Sequence, residues 1–552
     1  MIESKSSSVP SMRIKDWVVL ITVALITFLV YAASLDAKLD IRQDDHRILF
    51  FSDHEQPQHE QLRNTKDAAG KTIEPTLSWF LESDIAVGRF RPLTQALEVA
   101  MPRALGDDPF RLHLLVMLLT ILTSMVLFTV GFKLGGSSLE GAAMAMFVLL
   151  APDPGPSKVW YLMSVKAELW GTLFTLFAVL ATIKASHSTS RVRDDILPVV
   201  MIAVAMLFKE PFALLVPAML ILRLSLPFHY GNISNWRQVP RWKFVIFGYM
   251  ALLVAYSIAI WMGLSASPKD SYGTRSLHDW SLLGSGLINI FRQMPIQAVW
   301  FAPLILAFWV LIRRFGVAKT AIAFSLPAFT AVAWVAPQVL LYAARGGMWD
   351  HYWLPALLGI AALNIWCLRI IRLNGSPGIM VFALLMSLIW VVNGVRTNYF
   401  AVQNYVQLTH MRQDAAGALI NRVPEGGVVI IVADNKVYSE YAMSWLFFAA
   451  NKGKSHTKYL LYDVTEPNGR NFSKSIFFPH TPSLDSINSC QVDAVVFLSQ
   501  PKEIDGKWHD WYSSECLANE TFLADQRYFS LRKLDKVNQP VHLNIAFHKP
   551  VR

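Results

Sequence analysis

Two adjacent carboxylates, Asp44 and Asp45, follow the first apolar run of the chain by a few residues, and a basic stretch, Gly88-Arg89-Phe90-Arg91-Pro92-Leu93, lies further along the same polar segment. A carboxylate within hydrogen-bond reach of a hydroxyl can take its proton as a general base, and guanidinium forks match phosphate oxygens. In an extended segment adjacent side chains point to opposite faces, so only one of Asp44 and Asp45 need face a cavity. By the same rule Arg89 and Arg91 share one side with the Phe90 ring on the other. Two plainer readings compete. The aspartates suit a solvated Asx-type turn, and the arginines suit an interfacial helix start facing lipid headgroups.

Three further groups of ionisable residues sit beside apolar runs, where charge is costly and needs a reason. Lys166 and Glu168 are two apart and hence not on one helical face, so ion pairs with other helices are their structural account. Lys209-Glu210-Pro211 interrupts a long apolar block. Arg345 and His351 lie in Arg345-Gly346-Gly347-Met348-Trp349-Asp350-His351-Tyr352-Trp353-Leu354-Pro355. Arg345 suits a phosphate or pyrophosphate, and His351 suits a proton carrier or a hydrogen-bond donor to a lipid-linked group. The aromatic residues by themselves are a normal interfacial belt, and a lone interfacial histidine also has a structural reading.

The elements that must hold these residues are membrane spans. Of the 552 residues 53% are hydrophobic and only 16% charged, with 18 Trp, which departs from soluble usage toward a multi-span protein. Apolar runs lie at 17–34, 111–131, 138–151, 161–183, 196–208, 211–228, 244–264, 295–312, 320–343, 353–371 and 377–395, on a yardstick of roughly 20 residues per crossing. The reading is therefore about eleven transmembrane helices. The first run is too long for a signal peptide and lacks a small-residue cleavage site, so it is expected to stay as an anchor. Splitting the block at Lys209-Glu210-Pro211 avoids two mid-bilayer charges, at about 2.5 to 3.5 kcal/mol each, and places the helix end where proline disfavours continuation.

With that split, short loops on the side of the N-terminus collect Lys5, Arg13, Lys15, Lys133, Lys184, Arg191, Arg193, Arg223, Arg237, Arg241, Lys243, Arg313, Arg314, Lys319, Arg369 and Arg372. The opposite short loops hold fewer than half as many, so the N-terminus is expected to be cytoplasmic, as in a bacterial inner membrane protein. The formal net charge of +10 is thus read as topology and not as nucleic-acid binding. An odd number of spans places the polar loop 35–110 and everything after about 396 in the outer compartment. The lysine–glutamate turn would then lie in a wet, protein-lined cavity on the outer side, because irregular backbone is tolerated at depth only there.

Two domains are expected, a membrane domain at 1–395 that includes the loop 35–110 and an extracytoplasmic α/β domain at 396–552. The second begins with a helical pattern near 404–422 and an apolar β run at 427–432. A helix-like stretch near 437–450 and strand candidates at 458–463, 493–498 and 541–547 follow. No glycine-rich phosphate loop follows its first strand, which argues against nucleotide binding. The chain has three cysteines, Cys367, Cys490 and Cys516. Their spacing does not suit a metal site. Cys490 and Cys516 could pair in an oxidising compartment, with two free buried thiols as the alternative.

Taken in order, these residues resemble the GT-C superfamily of integral-membrane glycosyltransferases, in particular bacterial members and O-mannosyltransferase-like proteins. The resemblance rests on an acidic pair soon after the first span, here Asp44-Asp45, and on the segment Arg89-Phe90-Arg91-Pro92-Leu93. An acidic residue at the outer start of the fourth span, Glu168, a lysine–glutamate turn, Lys209-Glu210, and a late aromatic-Leu-Pro segment, Tyr352-Trp353-Leu354-Pro355, complete it. It covers residues 15 to about 395.

The resemblance implies transfer of a hexosyl or pentosyl group from a polyprenyl-phosphate-linked donor to a glycan, lipid or protein acceptor in cell-envelope glycan or glycoprotein assembly. An acidic residue of the first loop would be the base, and Arg89, Arg91, Glu168, Lys209, Glu210, Arg345 and His351 would bind substrate or lipid phosphate. Inverting transfer by this route requires no cofactor, although some relatives use a divalent cation at the acidic pair. A lipid or sugar transporter or flippase is the alternative, and a non-enzymatic assembly protein a third. The large one-sided loop and the lack of a second lysine–glutamate break in the later spans argue against the transporter.

Overall fold

The computed structural model describes residues 11–39, 90–106, 108–149, 167–186, 191–229, 238–265, 280–293, 302–343, 353–433, 457–463, 486–498, 516–530 and 535–549, with a few single positions between 445 and 452. Asp44, Asp45, Arg89, Lys166, Arg345 and His351 lie outside the described residues, as does most of the helix-like stretch near 437–450.

Helices dominate. In chain order they are α1 (Ile14–Tyr31), α2 (Pro92–Leu105), α3 (Pro109–Gly135), α4 (Ser138–Leu149), α5 (Ala167–Ala185), α6 (Val192–Phe208), α7 (Val216–His229), α8 (Trp242–Ser265), α9 (Trp280–Gln293), α10 (Ala302–Phe315), α11 (Val317–Ala343), α12 (Trp353–Asn374) and α13 (Pro377–Arg422). Among the described residues eight helical segments are long and apolar enough to cross a bilayer. The other three of the eleven expected spans are the shorter helices α4, α6 and α10, of 12, 17 and 14 residues. The chain is a multi-pass helical membrane protein.

Two helices, besides a strand at Leu517–Ser530, differ from the sequence reading. The eleventh span does not end near 395. It runs on into the expected 404–422 helix as one element of 46 residues, because between 395 and 404 there is no proline or glycine to stop it. Helix α9 was not anticipated, its apolar positions being too few for a span.

The described chain divides into two compact units. One comprises Met1–Ala32, Leu81–Gln95 and Leu115–Tyr399, the other Ala33–Phe80, Ala96–Leu114 and Phe400–Arg552. In the first, α1 turns Ile14, Trp17, Val18, Ile21 and Leu25 outward and buries Leu20, Val23, Thr27, Val30 and Tyr31, as expected of a helix with lipid on one side and protein on the other. The Tyr31 hydroxyl donates to the Leu149 carbonyl at the end of α4 (3.1 Å). Helices α3 and α4 approach closely through small residues. A Cβ added at Gly131 would lie 2.5 Å from Met144 Cβ, and one at Gly141 2.9 Å from the Phe128 carbonyl, the backbone proximity on which helix association in lipid relies.

In the second unit, the short turn after α1 lies along the far half of α13. Lys38 N–H donates to Thr409 Oγ1 (3.0 Å), Gln413 Nε2 to the Leu39 carbonyl (3.3 Å), and His410 Nε2 is 2.8 Å from the Asp36 carbonyl. Beyond α13 the chain forms a five-stranded sheet of β1 (Val428–Ala433), β2 (Lys458–Asp463), β3 (Ala494–Phe497), β4 (Leu517–Ser530) and β5 (Asp535–His548) in the order β2-β1-β3-β5-β4. β1 pairs in parallel with β2 and β3, while β5 pairs antiparallel with β3 and β4. The inner strand β1 is an uninterrupted apolar run in which residues 429–432 are fully buried, as a strand covered on both faces must be. Cys490 and Cys516 are joined by a disulfide, Cα to Cα 5.2 Å, which ties the turn before β3 to the start of β4.

Candidate functional site

The helical block at 192–229 breaks where its sequence demands it. Pro211 lacks an N–H, and its ring would collide with the carbonyl four residues earlier, so α6 cannot continue. It stops at Phe208, Lys209 is extended (φ −160°, ψ 137°), and a 3-10 turn, Glu210–Leu215, leads into α7. The break places two charged side chains, Lys209 and Glu210, between the two helices.

Each of those side chains meets a partner of opposite charge from a distant part of the same unit. The Lys209 ammonium pairs with Glu168 in the first turn of α5, both side chains less than a tenth exposed. The Glu210 carboxylate receives Arg91 Nε on both oxygens, at 2.9 and 2.8 Å, and the Phe90 backbone N–H at 3.0 Å. Arg91 and Glu210 are about a fifth exposed. Arg91 stands just before Pro92, which opens α2, so the last residues of the basic stretch are fixed by the glutamate of the break. The Phe90 ring packs edge-on against Tyr256 of α8, centroids 6.4 Å apart.

Lys209 lies between the two spans, and burial pulls its ammonium well below the usual lysine range, to about 8, with Glu168 opposing the shift. Aromatic rings stack beside the break, Trp170 on Phe208 (6.0 Å) and Phe174 on Phe208 (5.6 Å). Gly171 makes room for Phe212, since a Cβ there would lie 2.2 Å from the ring.

Thus Arg91, Glu168, Lys209 and Glu210, all singled out in the sequence, come together at one end of the helices. Their charges cancel in pairs, which the sequence did not reveal. The expectation was of cations held ready for phosphate. In the structure Arg91 and Lys209 already each face a carboxylate, because a charge withdrawn from water must be paired. Two polar residues that the sequence reading missed hold the break from outside. Thr94 Oγ1 donates to the Phe208 carbonyl, and Gln338 Nε2 of α11 donates to the Pro211 carbonyl at 2.6 Å. The signal for Gln338 was available, as a polar residue after Pro337 within an apolar helix.

The opposite helix ends carry separate ion pairs. Asp195 receives Arg223 Nε at 2.8 Å and Arg241 Nε at 2.6 Å. Glu140, fully buried, pairs with Arg372 at 2.7 Å, while Arg369 and Arg372 donate to the last carbonyls of α3. Arg223, counted in the sequence as a loop residue, is a buried residue of α7. Among the described residues no group of three histidine, cysteine or carboxylate side chains is placed to hold a metal ion.

No protein-family model matches the sequence, and no curated protein is detectably similar to it. Solved structures do match. Cupriavidus metallidurans ArnT bound to undecaprenyl phosphate superimposes with a TM-score of 0.50 at 12% identity, over 97% of this chain and 98% of that one. The same protein in the apo state gives 0.48 at 12% identity over 96% and 98%. The apo Archaeoglobus fulgidus oligosaccharyltransferase gives 0.46 at 11% identity over 90% and 70%. The match to the lipid-bound ArnT spans almost the full length of both chains, and this protein has a fold like that of ArnT.

Proposed function

We propose that this chain is a membrane glycosyltransferase that moves a sugar from a polyprenyl-phosphate-linked donor to an acceptor hydroxyl on the outer face of the membrane, with inversion. The observation that carries this reading is the paired Arg91–Glu210 and Lys209–Glu168 cluster at the broken helix, two cations and two carboxylates gathered at one end of a bundle. Intramembrane ionisable groups of this kind mark substrate paths, and broken helices accompany sites. The undecaprenyl phosphate bound to the ArnT of like fold supports a lipid phosphate as the group that the cations meet.

In the proposed reaction the acceptor oxygen bonds to the anomeric carbon as the bond from that carbon to the phosphate oxygen breaks. Asp44 or Asp45 takes the hydroxyl proton. The electron pair of the broken bond stays on the lipid phosphate, where Arg89, Arg91, Lys209 and Arg345 face the growing charge. Preorganised cations lower a barrier most when aimed at charge that develops in the transition state. Glu168 and Glu210 hold Lys209 and Arg91 in place, and His351 contacts the donor. The scheme asks for no metal ion. The N-terminus is cytoplasmic and the C-terminal domain extracytoplasmic in this reading, consistent with the basic short loops.

The test is transfer of labelled sugar in membranes carrying Asp44→Asn or Asp45→Asn. Loss of transfer in one of them, with the protein present at its normal level, is the expected result. Full transfer in both removes the proposed base.

A further inference from the structure

The break at Lys209 opens two backbone carbonyls to side chains of other elements, that of Phe208, whose α-helical partner Phe212 N–H turns to the Lys209 carbonyl instead (3.1 Å), and that of Pro211 in the first turn of the 3-10 segment. Such groups, out of water, must find donors. Both do so through side chains of other elements, Thr94 of α2 on one side and Gln338 of α11 on the other. Both side chains are buried. Neither belongs to the charged cluster, yet together they grip the chain on either side of Lys209 and Glu210. The acceptor is a carbonyl in each case, so the donor atom of each side chain is fixed by chemistry. Between α6 and α7 the backbone is held by the Lys209 N–H on the Ala205 carbonyl (3.4 Å) and by the bonds of the 3-10 turn, and the two side chains add to these.

We infer that Thr94 and Gln338 are positioning residues that clamp the broken helix and thereby set where Lys209 and Glu210 present their charges. The inference rests on the proposed sugar transfer for its kinetic consequence, but the clamp itself is independent of the reaction. Groups facing Lys209 are Glu168 from α5, Arg91 ahead of α2 and Glu210 of its own turn, and the Tyr256 hydroxyl of α8 donates to the Met206 carbonyl nearby (3.4 Å). A slackened clamp lets water reach the Lys209 ammonium, which raises its affinity for a proton.

The experiment compares wild type with Thr94→Val and Gln338→Leu, which keep volume and remove the donor, and with Thr94→Ser, which keeps it. One readout is the pH dependence of Lys209 methylation by a small amine-reactive reagent, followed by peptide mass spectrometry on protein in membranes. The clamp predicts that the reactivity midpoint moves upward by about one pH unit in Thr94→Val and Gln338→Leu and returns in Thr94→Ser. The other readout is transfer kinetics, with kcat lowered about tenfold and KM for the lipid donor little changed, since misplacement costs the transition state more than binding.

An unmoved midpoint in either donor-removing variant overturns the inference. Should those variants fail to reach the membrane, Gln338→Asn, a methylene too short to reach Pro211, carries the same test, and its unmoved midpoint is equally decisive. A moved midpoint in a protein that transfers no sugar keeps the clamp and removes the proposed activity.

Discussion

The Arg91–Glu210 pair offers a way to separate what holds the site together from what acts in it. Both side chains are about a fifth exposed, 21% and 22%. The pair therefore lies between surface pairs, which are worth about 0 to 1 kcal/mol, and buried pairs, whose breakage costs about 3 to 5 kcal/mol. A coupling near 2 kcal/mol, about thirtyfold in an equilibrium constant, is the expected outcome of a double-mutant cycle with Arg91→Ala, Glu210→Ala and the double variant. SDS unfolding titration of the purified protein measures it. The charge exchange Arg91→Glu with Glu210→Arg should recover about half of that stability. It restores the ion pair but loses the Phe90 N–H bond to the carboxylate at 3.0 Å.

Activity should not recover in the exchanged protein, because the guanidinium would have moved to the other partner and a carboxylate would stand where the lipid phosphate is expected. A coupling below about 0.5 kcal/mol, within the error of additivity, refutes the structural half of this reasoning. Recovery of sugar transfer together with stability refutes the functional half. Arg91→Lys is a useful companion, since an ammonium keeps the charge but not the planar fork.

Three further outcomes are expected. The Lys209 ammonium titrates near 8, so its charge is present below that pH and lost above it, and the transfer rate should fall through a basic limb near 8. In Lys209→Arg that limb should disappear within the accessible range, as arginine stays protonated, and a limb unchanged in this variant assigns it to another group. Gly171→Ala, whose new Cβ would lie 2.2 Å from the buried Phe212 ring, should cost about 1 to 3 kcal/mol by overpacking and lower activity through the adjacent break, measured by unfolding and transfer assays on the same sample. Reduced and non-reduced electrophoresis of the protein should differ in mobility because of the Cys490–Cys516 bond, and Cys516→Ser should abolish the difference.

How much was legible followed from the physics of each feature. The spans were visible because lipid accepts only apolar helices, so α3, α8 and α11 announce themselves by composition alone. The strand β2 was read at its correct bounds, and β1 within one residue, since each carries a short apolar run, at 459–462 and 428–432. β4 was missed. Asn519, Glu520 and Thr521 interrupt its apolar pattern near the start. The long α13 was cut in two because hydropathy falls where the chain leaves the apolar stretch while the backbone, lacking a stop signal, does not.

The sequence by itself determined where the chain must cross a membrane, where proline must break a helix, and which residue types stand ready at that break. Those are local consequences of solvent, of the missing proline N–H and of side-chain chemistry. Only the tertiary structure decided that Arg91 meets Glu210 across 119 positions, that Lys209 meets Glu168 across 41, and that Thr94 and Gln338 hold the carbonyls between them. Spacing along a chain does not say which helices become neighbours. That choice is made by packing over whole helix faces, and it is the packing that turns four scattered charges into two neutral pairs.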